Sequence, residues 1–161
     1  MILAGDIGGT NTRLALVEAT RGGMRILFEK TFPSRERTSL ETALEEFLSL
    51  RRAAFTKASF GIAGPVRNGR CEATNLPWVV DAKSVAKRLR LKRVGLINDL
   101  VANAHGIALL RGKDFVTLNK GVRNAQGNQA LISAGTGLGA AGLLWDGKTH
   151  RPFASEGGHV D

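Results

Sequence analysis

The 161-residue chain is poor in cysteine, because Cys71 is its only one. A single thiol cannot build an internal disulfide framework or a cysteine-based zinc site, so the small disulfide-rich secreted domains are excluded. This composition is typical of proteins in the reducing cytoplasm, where we expect the chain to work.

The pattern of the first residues predicts no signal peptide, and the chain has no long unbroken hydrophobic run. Residues 1–5 carry no basic stretch, and Asp6 interrupts the apolar residues too early for a signal peptide. The longest apolar run, Ala130–Trp145, is broken by glycines and is too short to span a bilayer. The sequence therefore predicts a soluble protein with no membrane partner.

Tyrosine is absent, and acidic residues are outnumbered by basic ones, which gives a net charge of +9. Clustered lysine and arginine would favour nucleic-acid binding, but here the basic residues are dispersed. The densest basic segment, Lys87–Arg93, follows a predicted helix, where cations complement the helix C-terminus. No aromatic residues are interleaved with these charges as a base-stacking platform needs. We therefore expect no nucleic-acid partner, and a basic surface that attracts anionic nucleotides.

Hydrophobic periodicity predicts a mixed α/β protein. Strands are expected over residues 2–6, 13–17, 25–28, 58–63, 94–97, 129–133 and 140–145, with a short one near 151–153. Helices are expected from Leu40 after a capping box at residues 38–41, from Asp81 to Leu89, and from Asp99 to Leu110. The strand, glycine turn, strand opening recurs once near the end. This duplication predicts two related lobes around a cleft, with domains over residues 1–112 and 113–161.

Two glycine-rich turns are the most informative motifs. One is Asp6–Arg13 and the other is Ser133–Gly139, and each joins two predicted strands. Successive backbone N–H groups without side chains in the way can cradle phosphate oxygens. Two such turns on either side of Asn98 and Asp99 suggest a nucleotide clamped between two lobes, although each turn alone could be an ordinary hairpin.

Two aspartates end predicted strands. Asp6 could hold Mg²⁺ through water beside phosphates, or it could bond to the N–H groups of its own turn. Asp99 could act as a general base toward a substrate hydroxyl, although aspartate is also a favoured helix N-cap. Both roles can coexist if Asn98 caps the helix and Asp99 points outward.

Ser155–His159 offers hydrogen-bonding groups across two glycines, which suits a polyol but also fits a surface turn. Trp78 fits either a core anchor or a sugar-stacking ring. Three common alternatives find no match. There is no G-x-S-x-G elbow, no Walker A sequence and no G-x-G-x-x-G dinucleotide fingerprint.

Together these motifs resemble the bacterial ATP-dependent glucokinases of the sugar kinase/actin-like ATPase superfamily. The matching strings keep the family's order and spacing over the whole chain, and they are Gly5–Ala15, Ala63–Val66, Thr74–Trp78, Ile97–Leu100, Gly135–Gly139 and Glu156–Asp161. The resemblance implies an actin-like ATPase (ribonuclease H-like) α/β domain followed by the first strands of a second, related domain.

The resemblance also implies the roles of individual residues. Asp99 resembles the general base that takes the proton of the sugar 6-hydroxyl. The implied glucose ligands are Asn75, Asn98, Asp99, Glu156 and His159. The implied cofactors are ATP and Mg²⁺, with Asp6 near the metal. The nucleotide-binding residues implied by the two turns are Asp6, Gly8, Gly9, Thr10, Asn11, Gly135, Thr136, Gly137 and Gly139.

The chain departs from the wider superfamily in two ways. The cysteine-rich zinc motif of related sugar kinases is absent, which favours the zinc-free glucokinases. Members of the family also run to roughly twice this length, so we expect a fragment that lacks turnover alone. A kinase of another hexose and a non-catalytic sugar- or nucleotide-binding remnant remain the alternatives. D-glucose and MgATP are the expected partners, and a homodimer is one candidate assembly.

Overall fold

The first three strands form an antiparallel meander in the computed structural model of the chain. The structure describes residues 1–21, 23–73, 75–122, 125–135 and 137–159, and of His159 only the backbone. By its internal contacts the chain divides into Met1–Asp99 and Leu100–Asp161. The domain boundary at residues 112–113 stays a prediction.

A five-stranded sheet organises the first unit. Its strands are β1 (Ile2–Ile7), β2 (Asn11–Thr20), β3 (Gly23–Pro33), β4 (Lys57–Ile62) and β7 (Gly95–Asn98). The order across the sheet is β3-β2-β1-β4-β7, with β1, β4 and β7 parallel and the other pairs antiparallel. The predicted strands are confirmed, and β2 and β3 are longer than expected. A separate hairpin pairs β5 (Arg70–Glu72) with β6 (Val79–Asp81).

Two helices complete the first unit. Helix α1 (Leu40–Leu50) buries Leu40, Ala43, Leu44 and Phe47 at the predicted helical spacing, and the Phe47 ring lies 5.2 Å from that of Phe28. Its N-cap is Ser39, whose reciprocal partner is Thr42, so the capping box lies one residue later than the predicted Thr38–Glu41. Helix α2 (Ala82–Arg88) has the predicted N-cap, Asp81, whose carboxylate accepts hydrogen bonds from Lys83 N–H and Ser84 N–H.

The second unit consists mainly of one helix and one small sheet. Helix α3 begins at Asp99 and ends at Ile107, earlier than the predicted Leu110. Strands β8 (Gln129–Ala134), β9 (Leu138–Trp145) and β10 (His150–Ser155) form an antiparallel sheet in the order β10-β9-β8. In the part of the chain that the structure describes, single 3₁₀ turns occur at Ser34–Glu36, Gly112–Asp114 and Gly157–His159. Within the described ranges, no helix combines the length and apolarity that a membrane crossing requires.

Candidate active site

Three parallel strands bring the predicted aspartates to one edge of the first sheet. In register, Asp6 of β1 lies opposite Gly61 of β4, and Gly61 lies opposite Ile97 of β7. Asp99 follows β7 directly and opens α3. Because Gly61 has no side chain, the strand between Asp6 and β7 places no bulk beside the Asp6 carboxylate. The sequence prediction that each aspartate ends a strand is consistent with this topology, in which β4 lies between the two strands.

The charges at this edge act on each other. Asp6 is exposed as a residue, yet protein atoms around its carboxyl raise its pKa above the ordinary value of 3.8. The negative charge of Asp99 raises the pKa of Asp6 further. Arg13, which pairs with Asp6 from the neighbouring strand β2, partly lowers this pKa. The edge is therefore a place where two carboxylates repel, and where a bound cation would relieve that repulsion.

Asn98 ends β7 and is half-buried. Its side-chain amide donates to the Gly64 carbonyl at 3.2 Å, which ties it to the Ala63–Val66 string after β4. This contact joins two of the predicted motifs and fixes the plane of the Asn98 amide.

The first glycine turn is a tight hairpin between β1 and β2. The Gly8 N–H donates to the Asn11 carbonyl at 2.9 Å, and Gly8, Gly9 and Thr10 form the loop. Thr10 and Asn11 are exposed.

Ser34 was missed by the sequence reasoning. It follows β3 and is completely buried, as is Thr12 of β2. The Ser34 hydroxyl donates to the Gly8 carbonyl at 2.8 Å and lies 2.9 Å from the Thr12 hydroxyl, and the Ser34 N–H donates to the Thr10 carbonyl at 2.9 Å. Thr12 lies on the same buried face of β2 as Leu14 and Leu16. This alternation of every second residue is visible in the sequence. Nothing local marks Ser34, because its position depends on the pairing of β2 with β3.

The predicted sugar segment touches the same turn. A Cβ added to Gly9 would lie 2.6 Å from the Asn75 Cβ, so Gly9 is needed for this close packing. Trp78 is buried, and its indole N–H donates to the Arg37 carbonyl at 3.0 Å. Trp78 is therefore the core anchor of this segment and not a sugar-stacking ring. Arg37 in turn holds Glu46 of α1 through two hydrogen bonds.

The second glycine turn is shorter than predicted. Its loop is residues 135–137, closed by a hydrogen bond of 3.0 Å from the Gly135 N–H to the Gly137 carbonyl. Gly139 lies in β9, where an added Cβ would come within 2.8 Å of the Leu100 side chain. Thr136 lies outside the described residues.

The last motif packs against the start of β9. Gly157–His159 forms a 3₁₀ turn, and a Cβ on Gly158 would lie 1.9 Å from the Leu138 carbonyl oxygen. This contact brings the backbone after Glu156 close to the second glycine turn, and Glu156 itself is exposed. The His159 side chain and residues Val160 and Asp161 lie outside the described part.

A groove of about 410 Å³ in the second unit lies between α3 and β8, and none of the predicted site residues lines it. Among the residues that the structure describes, no group of three or more histidine, cysteine, aspartate or glutamate side chains could hold a metal ion.

Known proteins are similar to this chain in sequence and in fold. A family model described as glucokinase matches residues 3–161. The chain belongs to the glucokinase family. A glucokinase of Nostoc sp. strain PCC 7120 is 38% identical over 164 residues, which cover 100% of this chain and 48% of the relative. The chain thus spans about half the length of the curated relatives that it matches.

Solved structures of glucokinases have the same architecture. The crystal structure of a glucokinase from an Antarctic psychrotroph superposes with a TM-score of 0.83 at 32% identity, over 99% of this chain and 51% of that one. A ROK family glucokinase from Streptomyces griseus, in complex with glucose and AMPPNP, superposes with a TM-score of 0.64 at 22% identity. The match covers 95% of this chain and 48% of the Streptomyces griseus chain. The second likeness bears on the fold alone. The predicted actin-like α/β fold is confirmed.

Proposed function

We propose that this chain carries the general base and sugar ligands of an ATP-dependent glucokinase. The reaction transfers the γ-phosphoryl group of ATP to the 6-hydroxyl of D-glucose, giving glucose 6-phosphate and ADP. The observation that carries this proposal is the position of Asp99 at the carboxyl ends of the parallel strands, close enough to Asp6 for its charge to raise the pKa of Asp6. The chain that holds this pair belongs to the glucokinase family.

Asp99 is the proposed base. As the glucose O6 attacks the γ-phosphorus, the O6–H proton passes to the Asp99 carboxylate and the bond from phosphorus to the ADP oxygen breaks. The proton then leaves to solvent, so the charges balance. A positioned base of this kind contributes about 10²- to 10⁴-fold in rate.

The proposed sugar ligands are Asn75, Asn98, Asp99, Glu156 and His159. The hydrogen bond from Asn98 to Gly64 supports this role, because it sets the direction of the amide before a sugar arrives. The packing of Asn75 on Gly9 and the burial of Trp78 hold the Asn75 segment in one position.

The two glycine turns are the proposed phosphate-binding segments. In the first turn the contacts to Ser34 engage the Gly8 and Thr10 carbonyls, which supports an anion-binding role for the neighbouring N–H groups. In the second turn the Gly135 N–H is bonded to the Gly137 carbonyl, and the proposed nucleotide-binding residues there are Gly135, Thr136, Gly137 and Gly139.

The donor set at the edge fits Mg²⁺. The ion prefers oxygen ligands and usually binds through one or two carboxylates, with waters and substrate phosphates completing its shell. Asp6 would hold it, with Asp99 contributing negative charge nearby, and no all-protein cage is needed. When bound, Mg²⁺ neutralises charge on the transferring phosphoryl group.

Residues 1–112 are proposed as the first domain and residues 113–161 as the start of the second. A cytoplasmic location and a homodimer are also proposed.

Glucose phosphorylation by the purified 161-residue chain tests the function. Glucose 6-phosphate is measured with MgATP present, and isothermal titration measures the binding of glucose and of MgADP. We expect Asp99→Asn to lower any turnover at least about a hundredfold while sparing glucose binding. Asp114→Asn, the same change at an exposed aspartate, serves as the matched control.

Each outcome has one meaning. Turnover lost in Asp99→Asn and kept in Asp114→Asn supports the kinase. Binding of both ligands without turnover agrees with a kinase site that this chain carries only in part. A chain that binds neither glucose nor MgADP contradicts the proposal, and faster phosphorylation of mannose or an amino sugar changes the substrate.

A further inference from the structure

Two buried hydroxyls beneath the first glycine turn are not used by the proposed reaction. Thr12 and Ser34 are both fully buried, although hydroxyl side chains are usually found at the surface. Each must find hydrogen-bond partners, because a buried polar group without one is destabilising. Those partners are one another and the backbone of the turn.

The protons in this cluster have one consistent arrangement. The single hydroxyl proton of Ser34 is donated to the Gly8 carbonyl at 2.8 Å. The Thr12 hydroxyl, 2.9 Å from the Ser34 Oγ, must therefore be the donor of that second bond. Thr12 supports Ser34, and of the two hydroxyls only that of Ser34 bonds to the turn.

Ser34 engages two carbonyls of the turn. Its hydroxyl binds the Gly8 carbonyl and its backbone N–H binds the Thr10 carbonyl. A trans peptide is planar, so its N–H points opposite to its carbonyl. The N–H groups of Gly9 and Asn11 therefore point away from Ser34.

We propose that Ser34, supported by Thr12, is a positioning residue that aims the N–H groups of Gly9 and Asn11 at a nucleotide phosphate. This role rests on the proposed function, because it assumes that the first turn binds phosphate. Ser34 touches no substrate. It acts by turning carbonyl oxygens, which repel an anion, toward the protein interior.

The test compares three variants of the 161-residue chain. Ser34→Ala removes the bond to Gly8, and Thr12→Val removes only the supporting donor. Ser39→Ala removes the cap of α1 and so lowers stability without touching the turn. We expect Ser34→Ala to weaken MgADP binding about tenfold, with Thr12→Val weakening it clearly less and Ser39→Ala leaving it unchanged. Glucose binding is expected to stay within about twofold of wild type in all three.

Backbone amide exchange by NMR gives a second readout that needs no ligand. We expect faster exchange at Gly8 and altered Gly9 and Asn11 resonances in Ser34→Ala, with smaller changes in Thr12→Val. Equal losses of MgADP affinity in Ser34→Ala and Ser39→Ala would overturn the positioning role. If the wild-type chain binds no MgADP, the proposed function fails, and unchanged exchange in Ser34→Ala then overturns the positioning of the turn as well.

Discussion

The two units share one pattern. Each contains three consecutive antiparallel strands whose first two are joined by a glycine turn, and these strands open the first unit but follow α3 in the second. The predicted recurrence of strand, glycine turn and strand agrees with this topology. In the first unit, β1 also pairs with β4, and the buried cluster consists of residues between Leu3 and Leu96. In the second unit, β8 lies at the edge of its sheet, and Ile132, Leu138, Leu144 and Phe153 are exposed.

The difference shows how one local pattern acquires two kinds of support. The first turn is fixed by Ser34, a residue distant in sequence, and by a packed core beneath it. The second turn is closed by its own hydrogen bond from Gly135 to Gly137 and by the close approach of Gly158 to Leu138. A glycine turn thus defines the hairpin, while tertiary contacts decide how firmly its N–H groups are held.

Matched phenylalanine truncations should give the largest contrast between the units. Phe47 is fully buried in the first unit, whereas Phe153 is 54% exposed and covers Gly142 in the second. We expect Phe47→Ala to cost about 3–5 kcal/mol of unfolding free energy, because it leaves a core cavity. Phe153→Ala should cost about 1 kcal/mol, the scale of a cross-strand contact.

Urea unfolding followed by NMR signals from each unit measures both losses. Equal costs for Phe47→Ala and Phe153→Ala would mean that the second unit is packed as well as the first, and the comparison would not hold.

Adding a methyl group at Gly9 should separate the roles of the first turn. An alanine Cβ there would lie 2.6 Å from the Asn75 Cβ, so the Asn75 segment must move. We expect Gly9→Ala to weaken glucose binding roughly tenfold, and to weaken MgADP binding less. Gly112→Ala is the control, because an added Cβ meets nothing within 4 Å there.

Isothermal titration with each ligand distinguishes two explanations of this glycine. If Gly9→Ala weakens MgADP binding and leaves glucose binding intact, Gly9 serves close approach to phosphate, as the sequence alone suggested. The packing against Asn75 would then have no role in sugar binding.

Most elements of the fold could be predicted from the sequence, because strand alternation and helical spacing are local signals. The Asp81 cap and the buried face of α1 were predicted correctly. The capping box of α1 was placed one residue early, because Thr38–Glu41 and Ser39–Thr42 both offer suitable side chains. The end of α3 was placed too late, since Leu109 and Leu110 continue the apolar pattern in turn conformations that bond to Gly106 and Ile107.

Parts of the candidate site could not be predicted, because they depend on register between distant strands. Ser34 reaches the first turn only because Asn11 pairs with Pro33, and β2 and β3 carry an irregularity at Leu16 that no local pattern reveals. The contact of Gly9 with Asn75 likewise joins two motifs far apart in sequence. The motifs identify the candidate site residues, and the pairing of distant strands determines which of these residues contact each other.

Two aspartates provide the smallest and most specific contrast between the units. The folded-state pKa of Asp6 is raised, so folding favours its protonated form and stability falls as pH rises above about 4. At pH 7, Asp6→Asn should therefore raise the Tm slightly, on the order of 1–2 °C, since solvent screens an exposed carboxylate. Asp146 has the opposite shift, because Thr149 N–H, Arg151 and Lys148 N–H hold its pKa below the ordinary value.

Asp146→Asn should accordingly lower the Tm at pH 7, and this loss should vanish as the pH falls below the ordinary carboxyl pKa. Thermal unfolding of both variants between pH 3 and about 8 gives the two signs directly. If Mg²⁺ binds at Asp6, the wild-type chain should gain stability on adding the ion at pH 7 and Asp6→Asn should not. A Tm that falls in Asp6→Asn without Mg²⁺ would show that the Asp6 carboxylate is stabilised by its own turn, and the repulsion from Asp99 would then be the weaker of the two effects.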